Sequence, residues 1–431
     1  MTRPEEALAI HETDTYRAST FVQLEDGCIL QLAGTTFTTS DDGGLTWSEP
    51  FERRDPNGNL VGGLWMSLVR LSGNGVGVST GGTGFGLDSP HDLPGTQFQV
   101  FWRSEDGGET WEAPVRISIP GIDACQYHDV LIRTSSGRIV MPVYTRFGQK
   151  LGPGGVEPPH SGKLVHGQWA SSRTHFWDPG FRGSLVYYSD DDGRTWQRNR
   201  DGELIILLDW NANFNYTNEP SVTEVEPGRL LMFLRTALGR LFQAWSADNG
   251  ETWTRPAPTP LASSIAPGQI RTLPNGHLLA VWNQHSEDEI KQGYVRTRIS
   301  SAVSRNGGSI WEFFQNVESM HEETRVEPGP IRPVRPEEYH FRPGVPAPER
   351  EGHYLTPAET YGWWTYPSVF VMEDRVLIGH RYRAYREHPT EATLLASSEI
   401  EESGGFIHKL KVLPLSWFYG GKEPADSAWI A

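Results

Sequence analysis

The chain has 431 residues and a formal net charge of −16, from 38 basic and 54 acidic side chains. This charge excludes a nucleic-acid duplex or an anionic membrane as a partner unless a strong basic patch is present, and the sequence contains no such patch. Its 46 glycines and 31 prolines are too few for a low-complexity chain, and its 16 tryptophans, 14 tyrosines and 18 phenylalanines can form a large core.

The start of the sequence has only a short apolar run before His11 and Glu12, whereas a secretory signal peptide needs a longer apolar core. No apolar run reaches the roughly 18 residues that a membrane-spanning helix requires. We therefore expect a cytoplasmic protein, unless a leader for secretion has been removed. Cys28 and Cys125 are predicted to be core thiols, and no spacing typical of metal ligands is present, so we expect no metal and no other cofactor.

An eight-residue box, Ser-x-Asp-x-Gly-x-Thr-Trp, repeats along the chain. The oxygens of Asp and of Ser or Thr can accept hydrogen bonds from turn amides, Gly allows an open backbone, and Trp can pack between sheets. We therefore expect the boxes to be structural and to lie on a rim, away from any functional site. Regular copies begin at Ser40, Ser104, Ser189 and Ser246, and a degenerate copy with Asn306 in place of Asp begins at Ser304.

Six hairpins alternate with these boxes, and in each an apolar strand continues through a short turn into a second apolar strand. In the first five units a further strand leads to a box, and six such units predict an all-β, six-bladed β-propeller. We expect one domain, residues 1–431, with two insertions at about 146–183 and 316–363. Insertions of this length are either functional lids or mobile excursions, and their aromatic residues favour lids. The hairpins span residues 24–30, 72–78, 135–141, 226–232, 274–280 and 372–378.

Equivalent positions in the six units predict which side chains meet. The innermost strands of a propeller surround one axis, so the residues that precede them converge on one opening. Converging polar and aromatic side chains are typical of an active site. The residues at this place are Arg17, Trp65, His128, Glu219 and Tyr366, and the end of the second strand adds Tyr144, Arg235 and Arg381.

The boxes resemble Asp-box (BNR) repeats, and over essentially its whole length the chain resembles the sialidase superfamily. In that family a tyrosine assisted by a glutamate is the nucleophile, three arginines grip the substrate carboxylate, and an aspartate is the acid/base. The resemblance implies that Tyr366, in Tyr-Pro-Ser-Val, is the nucleophile and that Glu219, in Asn-Glu-Pro-Ser, assists it. A phenol with a pKa near 10 is a poor nucleophile unless a neighbouring carboxylate takes its proton.

The resemblance also implies an arginine clamp. Arg17 stands where the family has its first arginine, although the motif is Arg-Ala-Ser rather than Arg-Ile-Pro, and Arg235 in Phe-Leu-Arg-Thr matches the second. Arg298, six residues before the fifth box, is the best match for the third, with Arg296 and Arg381 as competitors. Guanidinium groups bind carboxylates in bidentate fashion, so the predicted partner is an acidic sugar or glycan.

One element of the family pattern is missing. The acid/base aspartate usually lies between the first arginine and the first box, but the stretch 30–40 contains no acidic residue. We expect His128 to replace it, with Asp88 in the Gly-rich loop of the second unit as the reserve candidate. A structural role for His128 is the alternative. Trp65 and Tyr144 are expected to bind the substrate.

Three functions remain open at this point. The leading hypothesis is a sialidase-like exo-glycosidase that acts on an acidic sugar. The second is a lyase for uronate-containing glycans, in which arginines neutralise the carboxylate while His128 and Tyr366 act as base and acid. The third is a carbohydrate-binding propeller without catalysis. No feature of the sequence indicates an oligomeric state.

Overall fold

The computed structural model of the protein describes residues 6–13, 19–92, 96–147, 162–165, 168–171, 181–208, 214–215, 217–291, 296–320, 323–334, 361–385, 407–422 and 424. Arg17 and most of both predicted insertions lie outside these residues. The division of the chain into one domain with two insertions stays a prediction.

Six four-stranded antiparallel sheets form the blades of a ring, which confirms the predicted six-bladed β-propeller. The second strand of a blade is rich in Val, Ile and Leu because neighbouring blades cover both of its faces. The first elements are β1 (Ala9–Thr13), which belongs to the sixth blade; β2 (Ser19–Gln23), β3 (Ile29–Ala33), β4 (Thr36–Ser40) and β5 (Phe51–Glu52) of the first blade; β6 (Ser67–Arg70), β7 (Val76–Gly81), β8 (Gln99–Ser104) and β9 (Val115–Arg116) of the second; and β10 (Ile132–Arg133), β11 (Ile139–Phe147), β14 (Phe181–Ser189) and β15 (Gln197–Arg198) of the third, with β12 (Gly162–Val165) and β13 (Gln168–Ser171) as a separate hairpin.

The strand β1 pairs with the last strand of the chain, so the sixth blade joins both ends of the sequence and closes the ring. Closure protects the inner strands from pairing with other chains. The remaining elements are the hairpin β16 (Ile206–Leu207) and β17 (Phe214–Asn215); β18 (Asn218–Glu226), β19 (Arg229–Arg235), β20 (Arg240–Ser246) and β21 (Ala257–Ala262) of the fourth blade; β22 (Gly268–Thr272), β23 (Leu278–Trp282), β24 (Arg298–Ser304) and β25 (Glu312–Ser319) of the fifth, with the helix α1 (Glu287–Lys291); and β26 (Tyr361–Val371), β27 (Arg375–Tyr385) and β28 (Ile407–Pro414) of the sixth, followed by a 3-10 helix (Leu415–Tyr419).

Each pair of neighbouring blades shares its own hydrophobic cluster. Between the first and second blades, Leu32 and Phe37 pack against Val78 and Trp102. Burying a large apolar side chain stabilises the fold by about 1.5–3 kcal/mol. Because each cluster lies between two blades, the apolar stabilisation is distributed around the ring, and the axis is left to polar groups.

The boxes are hydrogen-bonded turns, as their composition predicts. In the first box, the Ser40 hydroxyl accepts from the Gly44 amide at 2.8 Å and donates to Asp42 Oδ1 at 2.9 Å. Asp42 Oδ1 also accepts from the Thr46 amide at 2.9 Å, and Asp42 Oδ2 accepts from the Thr46 hydroxyl at 2.6 Å. The same bonds recur in the boxes that begin at Ser104, Ser189 and Ser246.

A box glycine also brings neighbouring blades together. Gly193, in the third box, has a φ of +83° and lies against the ring of Phe101 in the second blade. A Cβ atom on Gly193 would lie 2.1 Å from that ring, and a Cβ on Gly77 in the second blade would also lie 2.1 Å from it. Only glycine allows this approach at both positions.

Both cysteines are free thiols, with Cys125 buried and Cys28 half-buried. Across the part of the chain that the structure covers, no helix has the length and apolar character needed to cross a membrane.

Removing the Thr46 hydroxyl should weaken the pH dependence of stability. Hydrogen bonds from the side chain and amide of Thr46 lower the pKa of Asp42 to about 2 from 3.8. A lowered carboxyl pKa contributes stability that is present above about pH 4 and is lost as the pH falls towards 2. The Tm difference between the wild type and Thr46→Val should therefore be larger at pH 6 than at pH 2.5. Thr46→Ser, which keeps a hydroxyl, should follow the wild type, and a pH-independent difference for Thr46→Val would contradict this account.

Candidate active site

Three residues at one end of the ring, which we call the mouth, have a left-handed backbone. Trp65, Glu219 and Tyr366 have φ values of 57°, 35° and 55°, and they stand at equivalent places in the second, fourth and sixth blades. In β18 and β26 the strand register shifts at Glu219 and Tyr366, which marks β-bulges. Bulges redirect a side chain, and a left-handed φ in a bulky residue is strained, so the backbone is locally distorted where the side chains meet.

Tyr366, Glu219 and Arg235 form a connected group. The Tyr366 hydroxyl donates to Glu219 Oε1 at 3.1 Å, and the Arg235 guanidinium donates to Glu219 Oε2. Arg235 is the last residue of β19, and its strand partner in β18 is Asn218, the residue before Glu219. Both Glu219 and Arg235 are buried. The carboxylate of the fourth blade therefore joins a phenol of the sixth blade to a guanidinium of its own blade.

Two further arginines flank the Tyr366 ring. The guanidinium carbon of Arg296 lies 5.0 Å from the ring centroid, and that of Arg381 lies 5.6 Å from it. The Arg296 carbonyl accepts from the Trp364 amide at 2.8 Å, which fixes Arg296 beside the strand of Tyr366. Burial lowers the pKa of Arg296 to about 10, so its guanidinium is still charged at neutral pH.

The structure places Arg298 with other partners. Its guanidinium is wholly buried and lies 3.0 Å from Glu289 Oε1 of α1. It also donates to the Gln284 carbonyl at 3.0 Å and to the Ser319 hydroxyl at 3.3 Å. Spacing from the fifth box favoured Arg298 as the third arginine of the clamp. Its side chain instead contacts residues of the fifth blade and not Tyr366. Of the three competitors for the third arginine, Arg296 and Arg381 are the ones that reach Tyr366.

Aromatic rings also lie close to Tyr366. The half-buried ring of Trp65 lies 4.9 Å from the Tyr366 ring, and the buried ring of Tyr127, which the sequence analysis did not single out, lies 5.7 Å from it. His128 lies 6.0 Å from both Trp65 and Tyr366. His128 has no exposed surface, and burial holds the pKa of its imidazole well below the usual value. A fully buried, neutral imidazole is poorly placed to protonate a leaving group.

In the third blade, the residue at the mouth is one position further along the chain than the comparison of the six units predicts. At the mouth, the left-handed residue of this blade is Asp129, with a φ of 55°, rather than His128. Tyr144 is half-buried, and its strand neighbour is Cys125, whose amide donates to the Tyr144 carbonyl at 2.8 Å. Burial raises the pKa of Tyr144 well above its usual value, and the charge of Glu219 raises it further. Asp88 is exposed in its loop, and Arg17 lies outside the described residues.

The group can bind an anion and activate a phenol. Guanidinium groups of Arg235, Arg296 and Arg381 surround one phenol and one carboxylate, an arrangement that complements a ligand carboxylate. Within the described residues, His, Cys, Asp and Glu side chains form no cluster of three or more that could hold a metal ion.

Comparisons with known proteins agree with this architecture. Residues 76–378 match the family model described as BNR repeat-like domain. Among solved structures, the chain is similar to the Hadza microbial sialidase Hz136, with 16% identity and a TM-score of 0.53 over 96% of this chain and 67% of that one. It is also similar to the intramolecular trans-sialidase from Ruminococcus gnavus in complex with oseltamivir carboxylate, with 14% identity and a TM-score of 0.52 over 95% and 96% of the two chains.

A protein of unknown function from Dyadobacter fermentans DSM 18053 is similar as well, with 15% identity and a TM-score of 0.52 over 95% of this chain and 98% of that one. Identities of this size show a shared fold. The matches confirm the resemblance to the sialidase superfamily at the level of repeats and fold.

Replacement of Trp65 should reveal the backbone strain at the mouth. Because a left-handed φ destabilises a residue with a Cβ by about 1–2 kcal/mol, Trp65→Gly should be more stable than Trp65→Ala by about 1 kcal/mol. The order should reverse at Ser67 in the extended strand β6, where Gly weakens a strand by roughly 0.5–1 kcal/mol relative to Ala. Urea denaturation of the four variants measures both differences, and the same order at the two positions would refute the strain.

Proposed function

The chain belongs to the family of BNR repeat-like domains, and we propose that it is an exo-glycosidase that hydrolyses the glycoside of a carboxylate-bearing sugar in a sialidase-like manner. The observation that carries the proposal is the hydrogen bond between the Tyr366 hydroxyl and the Glu219 carboxylate, with Arg296 and Arg381 beside the same ring.

Tyr366 is the proposed nucleophile. Its oxygen attacks the anomeric carbon while Glu219 takes the phenolic proton, and the bond to the leaving oxygen breaks. Water then attacks the glycosyl-tyrosine and the phenolate leaves, and Glu219 returns to it the proton taken in the first step. The proton that water loses passes to solvent and balances the oxygen anion that departed in the first step. Two displacements at one carbon retain its configuration, and a tyrosine nucleophile is a known exception to the two-carboxylate pattern.

The arginines are the proposed clamp for the sugar carboxylate. Arg235 and Arg296 lie closest to the pair formed by Tyr366 and Glu219. Arg381 flanks the Tyr366 ring. Arg17 is also proposed as a member of the clamp, as the sequence predicts. Trp65 supplies an aromatic face of the kind on which sugar rings pack, and Tyr144 keeps its expected role in substrate binding as a proposal. A guanidinium fork matches a planar carboxylate, which favours an acidic sugar as substrate.

The burial of His128 affects both remaining hypotheses about catalysis. A lyase would need His128 as an accessible base, and its burial does not favour that function. For hydrolysis, a general acid contributes about 10²–10⁴ in rate by protonating the leaving oxygen. An aryl leaving group departs without this help, so activated aryl glycosides are the appropriate first substrates.

Aryl glycosides of sialic, deaminated sialic, glucuronic and galacturonic acids should separate the hypotheses. We expect aryl release from a sialic-type substrate and no ultraviolet-absorbing unsaturated product from uronate polymers. Tyr366→Phe and Glu219→Gln should each lower kcat/KM by about 10²–10⁴. Tyr188→Phe, in the outer part of the third blade, is the matched control and should be as active as the wild type. Binding without turnover by the wild type, or full activity of Tyr366→Phe, would refute the proposal.

Arg296 and Arg298 should differ in what their loss affects. Arg296→Gln should weaken binding of the free sugar acid at least tenfold, because it removes a guanidinium beside Tyr366. Arg298→Gln should keep that affinity and lower the free energy of unfolding by about 3 kcal/mol, because it leaves the largely buried Glu289 carboxylate without its guanidinium. Titration calorimetry measures the affinity, and urea denaturation measures the free energy of unfolding. Lower affinity for Arg298→Gln with unchanged affinity for Arg296→Gln would show that Arg298 belongs to the clamp instead.

A further inference from the structure

A buried ion pair occupies the propeller axis behind the mouth. The carboxylate of Asp129, the left-handed residue of the third blade, lies 3.0 Å from Nη2 of Arg271 in the fifth blade. Both side chains are largely buried. Neither residue belongs to the group around Tyr366 described above, and the proposed reaction assigns neither a role.

The pair holds the strand that carries Tyr366. Asp129 Oδ2 accepts from the Val369 amide at 2.9 Å, and Arg271 Nε donates to the Val369 carbonyl at 3.1 Å. Val369 lies three residues after Tyr366, where β26 has resumed regular pairing after its bulge. Tyr127, two residues before Asp129, donates its hydroxyl to the Pro367 carbonyl at 2.6 Å. The bulge that directs Tyr366 is therefore fixed at two points by the segment that contains Asp129 and by its partner.

The same network reaches the strand of Trp65. The Asp129 amide donates to the carbonyl of Met66, the residue after Trp65, at 3.1 Å. Asp129 Oδ1 accepts from the Thr20 hydroxyl at 3.0 Å, and the Thr20 oxygen accepts from the Leu68 amide at 3.0 Å. Asp129 thus connects the first and second blades to the third.

The network also reaches the strand of Glu219. Gln269 donates to the Asp129 carbonyl at 3.1 Å and accepts from the hydroxyl of Ser221, two residues after Glu219, at 2.8 Å. Arg271 Nη1 donates to Gln269 Oε1 at 2.8 Å. All three left-handed residues of the mouth therefore stand within three residues of an atom that this network holds.

We propose that Asp129 and Arg271 are positioning residues that hold the strained backbone of Trp65, Glu219 and Tyr366 in the geometry that the reaction needs. This inference rests on the proposed function and deepens it. Buried ion pairs are weak evidence for stability, since apolar pairs of similar volume often replace them without loss. Apolar side chains cannot accept from the Val369 amide or donate to the Val369 carbonyl, so they would restore packing without restoring the direction of Tyr366. Reaction rates are sensitive to displacements of this kind.

The test separates stability from turnover with an apolar replacement of the pair. Asp129→Asn and Arg271→Met should each lower Tm and lower kcat about 100-fold, with KM changed less than threefold. The double variant Asp129→Leu with Arg271→Met should regain part of the lost Tm, because it leaves no buried charge unpaired, and keep the low kcat. Arg271→Lys, which retains the charge and one donor, should have a kcat between those of Arg271→Met and the wild type. If a single variant does not fold, the double variant alone decides the question.

The ion pair between Arg305 and Glu312, on the box side of the fifth blade, is a matched control. The Arg305 guanidinium donates two hydrogen bonds to the Glu312 carboxylate, at 2.8 and 2.9 Å. Glu312→Gln should lower Tm and leave kcat unchanged. Recovery of kcat together with Tm in the double variant would show a purely structural role and overturn the inference. An active wild type whose variants keep their kcat would also overturn it while leaving the proposed function intact, whereas an inactive wild type would overturn both.

Discussion

A closed ring of six blades forces the inner strands into one small volume, and the polar groups that meet there must satisfy one another. An unmade buried hydrogen bond destabilises a fold by about 1–3 kcal/mol. Several inner side chains meet this constraint by bonding to another blade. Ser67 accepts from the amides of Val130 and Leu131 at 2.8 and 2.9 Å, and Asp129 and Arg271 hold both polar main-chain atoms of Val369. The axis is therefore a polar scaffold on which the mouth is built.

The two ends of each blade are under different conditions. At the box end, short turns satisfy their amides locally, and a left-handed glycine such as Gly193 stands where the neighbouring blade leaves no room for a Cβ atom. At the mouth, Trp65, Glu219 and Tyr366 hold left-handed conformations without that relief. Strain of this kind persists only where surrounding contacts over-determine the backbone. The regular strands of each blade and the network around Asp129 and Arg271 supply those contacts. The strained residues at the mouth provide the side chains of the candidate site.

Repetition made the fold readable from the sequence. The boxes and hairpins recur with the same residue types, so blade number and strand order followed from periodicity, and the convergence of Trp65, Glu219 and Tyr366 followed from equivalent positions. Local departures from the repeat were not readable. The shift from His128 to Asp129 is a single-residue change in backbone conformation, and spacing alone could not separate Arg296 from Arg298, since a bond between Arg296 and the strand of Tyr366 decides which one reaches the ring. Asp129, directly after His128 in the sequence, is the one feature that could have indicated a charged group at the axis.

In the proposed reaction, recognition of the ligand and catalysis depend on different parts of the mouth. Arginines beside a ring specify an anionic ligand, and they would serve a hydrolase, a lyase or a binding protein equally well. The bond between Tyr366 and Glu219 is what favours nucleophilic chemistry, because it joins a weak nucleophile to a proton acceptor. Both residues lie on bulges in strands from different blades, so their contact depends on the relative placement of the fourth and sixth blades. That placement is set at the axis, where atoms within three residues of each bulge are bound into one network. The proposed chemistry at the mouth is thereby coupled to a pair of charges outside the group around Tyr366.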